Sequence, residues 1–135
     1  MKPLNVTAGG HSDVGKVRQV NEDAYLCHNE AGLWAVADGM GGHHAGDVAS
    51  KAIVHALSQL SMRCALSDSL DAADDMLEQA NTTLRYRAAS QDPPRTCGST
   101  VAALLLHGRH GAILWAGDSR VYRLRNRQLE QLSED

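Results

Sequence analysis

The 135-residue sequence lacks a long hydrophobic run, a pairable set of cysteines and an excess of positive charge. No apolar stretch approaches the roughly 20 residues that a transmembrane helix needs, and residues 1–5 contain no apolar signal-peptide core. The formal net charge of −3 argues against nucleic acid or an anionic membrane as the main partner, because both attract basic surfaces. The three absences favour a soluble cytoplasmic protein without a membrane or nucleic-acid partner.

Cysteine usage points to the same compartment. Cys27, Cys64 and Cys97 are odd in number, widely spaced and free of any C-x-x-C pair. We therefore expect buried free thiols in a reducing cytoplasm rather than disulfides. Hydrophobic residues make up 43% and charged residues 21%, which is typical of a globular chain, and the length predicts a single domain over residues 1–135.

Hydrophobic periodicity predicts strands, then two helices, then strands. Residues 4–11 have weak strand character, and residues 24–28 and 33–37 predict a hairpin. Apolar residues at helical spacing predict a helix over residues 45–60 and a second over residues 70–84, with N-caps offered at 67–69. The remaining strands are predicted at residues 101–106, covered on both faces, and at 112–116, 121–125 and 128–132. Helices grouped in one block indicate an α+β layered domain, not alternating βαβ units.

Residues 38–46 place an acidic side chain in a turn with four glycines. A strand that ends in Asp38-Gly39 presents a carboxylate beside a backbone carbonyl, and both are hard oxygen ligands of the kind that Mg²⁺ and Mn²⁺ prefer. The glycines let the backbone approach an ion or a phosphate closely. The alternative is an ordinary strand–turn–helix connection, in which Asp-Gly is a common punctuator.

Acidic residues recur at two other strand edges. Glu22-Asp23 precedes the first predicted strand of the hairpin, and Asp118 follows a later one. Carboxylates gathered without histidine or cysteine suit Mg²⁺ or Mn²⁺, and a pair of such ions can activate water for attack on a phosphoryl group. Arg18 could bind that group through its planar guanidinium. The alternative is a set of solvated turn acids with a surface arginine, and Gly98-Ser99-Thr100 could either orient such a site or merely form a turn.

Other hydrolytic and nucleotide chemistries are poorly supported. Cys97 has Ala103 where a cysteine-based phosphatase loop needs arginine, and no G-x-x-x-x-G-K-[ST] loop is present. Gly117-Asp118-Ser119 is not followed by the histidine that a serine hydrolase requires.

Four motifs in order, at residues 18–23, 36–43, 97–100 and 115–122, resemble the type 2C (PPM) metal-dependent protein phosphatases, most of all the compact bacterial members. The resemblance implies an αββα sandwich of two antiparallel sheets flanked by helices. It also implies hydrolysis of phosphoserine and phosphothreonine in proteins by a metal-activated water, in opposition to a serine/threonine kinase. The implied cofactors are two Mn²⁺ or Mg²⁺ ions, with a third in bacterial members.

The resemblance also assigns roles to individual residues. Asp38 would bridge the two metals and Gly39 would offer its carbonyl to one of them. Glu22 and Asp23 would act through metal-bound waters, and Asp118 would bind the third ion. Arg18 would bind the substrate phosphate.

Two departures from the family pattern matter. Met40 stands where some members place a histidine as candidate general acid, so a water would have to protonate the leaving group. The family's chains usually run well past two hundred residues and supply two further aspartates, so we expect this chain to be an N-terminal half with an incomplete sandwich. Exposed sheet edges would then favour self-association. The alternative function is a catalytically inactive fragment or a metal-binding regulatory module of the same fold.

Overall fold

A computed structural model describes residues 4–42, 45–91 and 96–135. The strands within these ranges are β1 (Asp23–His28), β2 (Leu33–Gly41), β3 (Cys97–Ser99), β4 (Val101–His107), β5 (His110–Ala116), β6 (Tyr122–Arg125) and β7 (Gln128–Gln131). The helices are α1 (Ala45–Ser58) and α2 (Leu66–Ala89), which follow one another between β2 and β3. The predicted order of strands, two helices and strands is confirmed.

The main sheet has five antiparallel strands in the order β1-β2-β4-β5, with β3 also paired to β2. The β1–β2 hairpin turns through residues 29–32, where the Gly32 amide donates to the Asn29 carbonyl at 3.2 Å. Gly32 has φ +70°, a left-handed conformation that favours glycine. The predicted hairpin is therefore correct, and both of its strands extend further than the hydrophobic pattern indicated.

One face of this sheet carries the hydrophobic core. Alternate residues of β2 point toward the helices because side chains of a strand alternate between its faces. The apolar stripe predicted for the first helix packs against them, and α2 adds to the same cluster. The buried core residues are Leu33, Ala35, Ala37, Ala49, Ile53, Leu57, Leu60, Ala73, Leu84, Val101, Ala103 and Leu105. The small side chains on β2 and α1 allow the helix to lie close to the strand that carries Asp38.

The opposite face of the main sheet is largely open. Tyr25 is 42% exposed, Val36 47% and Trp115 36%. A second antiparallel sheet, the β6–β7 hairpin, turns at Asn126 and Arg127, both with positive φ. The fold is thus α+β with two antiparallel sheets, as predicted, and the helices of the described residues pack on the main sheet alone.

Several predictions about individual segments are wrong. Residues 4–11 form no strand and are exposed. The second helix begins at Leu66, and its cap position, Ala65, makes no side-chain hydrogen bond. Ser69 lies inside that helix, where its hydroxyl accepts a 2.7 Å hydrogen bond from the Arg63 amide.

Two further expectations concern burial. Cys27 and Cys64 are exposed and Cys97 is half-buried, so the thiols are free but not buried. Cys27 is exposed because it lies on the open face of the sheet, next to Trp34 in the β1–β2 register. Strand β4 is buried toward the helices but only half-covered at Leu104.

Neither helix of the described segments combines the length and the hydropathy that crossing a bilayer requires.

Candidate functional site

The β1–β2 register brings two of the predicted site residues together. Asp23 and Asp38 are direct cross-strand partners, and both side chains lie on the open face of the sheet. Directly opposed residues in an antiparallel pair have Cβ atoms about 5 Å apart, so like charges there repel. Two carboxylates at such a position are costly unless a proton or a cation offsets their charge.

The pKa of Asp38 reflects this crowding. Partial burial raises it most, and a hydrogen bond and charge repulsion from Asp23 raise it further. The Asp118 carboxylate also raises the pKa of Asp38, whereas the Arg18 guanidinium lowers it. Asp23, Asp118 and Arg18 therefore each lie within electrostatic range of Asp38.

A cleft of about 360 Å³ lies over the two aspartates. Asp23 and Asp38 form one side, and Ser119 and Arg120, from the bend after β5, line another. The loop before β1 contributes residues 11–13. The cleft is open to solvent and could admit a phosphoryl group to the paired carboxylates.

Backbone packing fixes the strand on which Asp38 lies. The Gly39 amide donates to the Glu22 carbonyl at 3.0 Å. A Cβ atom on Gly39 would overlap the Gly46 carbonyl oxygen of α1 and would lie 2.9 Å from the Glu22 carbonyl oxygen. Gly39 is therefore required for close contact between β2 and the first turn of α1, because any side chain would separate them.

Glu22 and Arg18 lie to one side of the aspartate pair. The Glu22 carboxylate packs against Gly46, and its Oε2 lies 3.9 Å from Arg18 Nη1. The Arg18 side chain is 68% exposed and the distance is long, so this ion pair is loose and its arginine is solvated. Arg18 is thus free to exchange Glu22 for another anion.

Asp118 lies on the exposed bend between β5 and β6. It influences the pKa of Asp38 but is absent from the residues lining the cleft. Within residues 4–42, 45–91 and 96–135 no group of three or more acidic, histidine or cysteine side chains is close enough to hold one metal ion. The structure therefore brings Asp23 and Asp38 into contact, with Gly39 adjacent, and leaves Glu22 and Asp118 at the periphery.

Thr100 is a site residue whose role the sequence left open. Its amide donates to the Asp38 carbonyl at 2.9 Å, and its Oγ1 accepts from the Asp38 amide at 3.0 Å. Of the two interpretations of Gly98-Ser99-Thr100, orientation of a neighbouring site fits these contacts better than a plain turn. Ser119, which the sequence analysis weighed only as part of a serine-hydrolase motif, has its hydroxyl oxygen 2.5 Å from Thr100 Oγ1.

Arg120 and Asp135 form an ion pair beside the cleft, and Arg120 Nε donates to Asp135 Oδ1 at 2.9 Å. The Asp135 carboxylate and the Tyr122 hydroxyl raise the pKa of Arg120, and the guanidinium lowers the pKa of Asp135. Trp115 Nε1 donates to the Glu134 carbonyl at 2.7 Å. These contacts hold residues 132–135 against the strand ends next to the site.

Comparison with known proteins decides the family. The family model described as protein phosphatase 2C matches residues 11–135. The chain belongs to the protein phosphatase 2C family. The match includes Arg18, the β1–β2 aspartate pair, Thr100 and the Asp118 bend.

Relatives with the same architecture are known from several bacteria. The serine/threonine protein phosphatase PstP of Mycobacterium tuberculosis is 36% identical over 124 residues, which is 92% of this chain and 24% of that protein. The serine/threonine phosphatase stp of Listeria welshimeri is 33% identical over 131 residues, which is 92% of this chain and 52% of that protein.

Two solved structures extend the comparison. PppA, described as a key regulatory component of T6SS in Pseudomonas aeruginosa, superimposes with a TM-score of 0.88 at 46% identity, covering 93% of this chain and 54% of that one. The catalytic domain of PstP in complex with two manganese ions superimposes with a TM-score of 0.81 at 37% identity, covering 93% and 54%. The chain thus spans about half the length of these solved relatives.

Proposed function

We propose that this chain carries the Asp23–Asp38 part of the active site of a Mn²⁺- or Mg²⁺-dependent protein serine/threonine phosphatase. The proposed reaction is hydrolysis of phosphoserine and phosphothreonine by water, in opposition to a serine/threonine kinase. The observation that carries the proposal is the cross-strand pair Asp23–Asp38, which lies in a cleft on a protein phosphatase 2C fold.

The donor groups at this pair fit a hard divalent cation. Partial burial and the neighbouring Asp23 carboxylate raise the pKa of Asp38, and a cation at the pair would offset the charge repulsion between the two carboxylates. Mg²⁺ is commonly bound through one or two carboxylates with several waters retained, so two protein ligands and a carbonyl are compatible with it. The two manganese ions of the related PstP structure support the same choice of metal.

Assignment of the ligands follows the family resemblance. Asp38 would contact both ions, with Gly39 contributing its carbonyl. Asp23 and Glu22 would hold metal-bound waters, and Asp118 would bind a third ion. Bound ions of this kind supply Lewis-acid activation of water and neutralise charge on a phosphoryl group.

Arg18 has the properties of a phosphate-binding residue. Its guanidinium is exposed, is only loosely paired with Glu22, and lies close enough to lower the pKa of Asp38. A substrate phosphate could accept its bidentate hydrogen bonds in place of the 3.9 Å pair with Glu22. Met40 is 60% exposed and carries no proton to donate, so the leaving alkoxide would take its proton from solvent water.

The proposal is tested by a Mn²⁺-dependent assay on p-nitrophenyl phosphate and on a phosphothreonine peptide. We expect the Mn²⁺-dependent hydrolysis to fall at least about 100-fold in Asp38→Asn relative to the wild type, because one carboxylate of a metal site is removed. Asp68→Asn, an exposed aspartate in the first turn of α2, is the matched control and should retain full activity. Equal activity in Asp38→Asn and wild type would refute the assignment.

One observation favours the second candidate function, a metal-binding regulatory module without turnover. The described residues bring only two carboxylates into contact, which predicts weak metal binding. Mn²⁺ binding that Asp38→Asn abolishes, without hydrolysis of either substrate, would support the module over the enzyme. Absence of any heat of Mn²⁺ binding would contradict both.

A further inference from the structure

We infer that the hydroxyl groups of Thr100 and Ser119 form a positioning pair that fixes the bend carrying Asp118 relative to the strand carrying Asp38. The inference rests on the proposed function and adds to it two residues that would contact neither metal nor substrate. Their role would be to set the separation of two carboxylates that lie 80 positions apart in the sequence.

Thr100 makes two hydrogen bonds to the backbone of Asp38. Its amide donates to the Asp38 carbonyl, and its Oγ1 accepts from the Asp38 amide, at 2.9 and 3.0 Å. Thr100 is only 7% exposed, so its hydroxyl has little access to water as an alternative partner. Two hydrogen bonds therefore tie the position of Thr100 to the Asp38 backbone.

The same hydroxyl reaches the bend. Thr100 Oγ1 and Ser119 Oγ are 2.5 Å apart, and a threonine oxygen that accepts from an amide still has its own proton to donate. Gly117 begins the bend with φ +97°, and a Cβ atom there would lie 2.7 Å from Thr100 Cγ2. The bend can lie against Thr100 only because residue 117 is glycine.

These contacts form one short series of hydrogen bonds. It runs from the Asp38 backbone through Thr100 Oγ1 to Ser119 Oγ, and Ser119 adjoins Asp118. Asp118 itself is exposed, so the hydrogen bond of Ser119 is a restraint on the bend immediately beside it. Groups that hold ligands from outside the coordination shell typically change metal affinity by 10–100-fold when removed.

Mn²⁺ titration calorimetry on the whole chain tests the pair. Ser119→Ala removes the link to Thr100 but leaves both Thr100–Asp38 bonds intact, so we expect about tenfold weaker Mn²⁺ binding. Ser58→Ala is the matched control: the Ser58 hydroxyl donates to the His55 carbonyl and accepts from the Gln59 side chain at the end of α1, so the Mn²⁺ affinity of this variant should equal that of the wild type. Thr100→Ser keeps the shared oxygen and should also bind as the wild type does.

A double-mutant cycle tests whether the two hydroxyls act through their contact with each other. In a Thr100→Val background the link is already broken, so adding Ser119→Ala should weaken Mn²⁺ binding no further. The losses in the free energy of unfolding, measured in urea without metal, should be non-additive as well. Wild-type affinity in Ser119→Ala, or fully additive losses, would overturn the inference while leaving the proposed function intact. Failure of the wild-type chain itself to bind Mn²⁺ would instead refute the proposed function.

Discussion

Replacement of Gly39 by alanine tests how closely β2 must approach α1. The added Cβ would overlap the Gly46 carbonyl oxygen, and it would lie 2.5 Å from the Gly46 carbonyl carbon and 2.9 Å from the Glu22 carbonyl oxygen. All three atoms belong to backbone, which cannot rotate away as a side chain would. The strand or the helix must therefore shift.

The expected cost is at the upper end of measured overpacking effects, about 3 kcal/mol. For a chain of 135 residues, 1 kcal/mol corresponds to roughly 3–4 °C in Tm, so Gly39→Ala should melt about 10 °C lower. Thermal unfolding followed by circular dichroism measures the shift. Because the displaced backbone carries Asp38, Mn²⁺ affinity should fall as well.

Gly98→Ala is the matched control on the neighbouring strand. Gly98 pairs with Met40 in the β2–β3 ladder, and a Cβ there would meet no atom within 4 Å. Alanine has less conformational entropy than glycine in the unfolded state, so Gly98→Ala should leave the free energy of unfolding equal or up to about 1 kcal/mol higher. If Gly39→Ala melted with the control, the close contact between β2 and α1 would be contradicted.

Two further predictions concern Asp38 on β2 and its contacts. Thr100→Val should lower the free energy of unfolding by about 1–3 kcal/mol in urea, because the Asp38 amide loses its buried acceptor. The control Thr83→Val, whose exposed hydroxyl donates to the Gln79 carbonyl, should stay within about 0.5 kcal/mol, and equal losses in both would refute the reasoning. The pKa of Asp38 is raised in the folded state, so without metal the folded state keeps the Asp38 proton to higher pH than the unfolded state. The free energy of unfolding should therefore fall as the pH rises from the ordinary pKa of 3.8 through the folded pKa. Asp38→Asn should flatten that part of the pH–stability profile measured with a chelator present, and an unchanged profile would contradict the raised pKa of Asp38.

Local patterns predicted the hairpin and the helices because their signals lie within one segment. The residues of β1 and β2 alternate, residues 29–32 favour a turn, and the stripe of α1 repeats at helical spacing. The predicted strand of residues 33–37 stops short of Asp38, since Asp-Gly is usually a turn. In the structure β2 continues to Gly41 because β1 and β3 supply ladder partners, and tertiary pairing outweighs local propensity.

In the candidate site, too, the sequence predicts local features but not long-range contacts. That Asp23 and Asp38 lie near strand edges is evident from the sequence, but their direct pairing depends on a register that only the folded hairpin sets. Thr100 forms its bond to Asp38 across 62 positions, so the sequence could not decide whether Thr100 orients the site or only forms a turn. The peripheral position of Asp118 likewise depends on the bend geometry after β5.

Anomalous scattering from crystals of the chain grown with Mn²⁺ tests the central assignment most directly. We predict a manganese peak in contact with carboxylate oxygens of Asp38, with Asp23 beside it, and no such peak in Asp38→Asn. A manganese peak remote from both aspartates, or none at saturating Mn²⁺, would contradict the assignment.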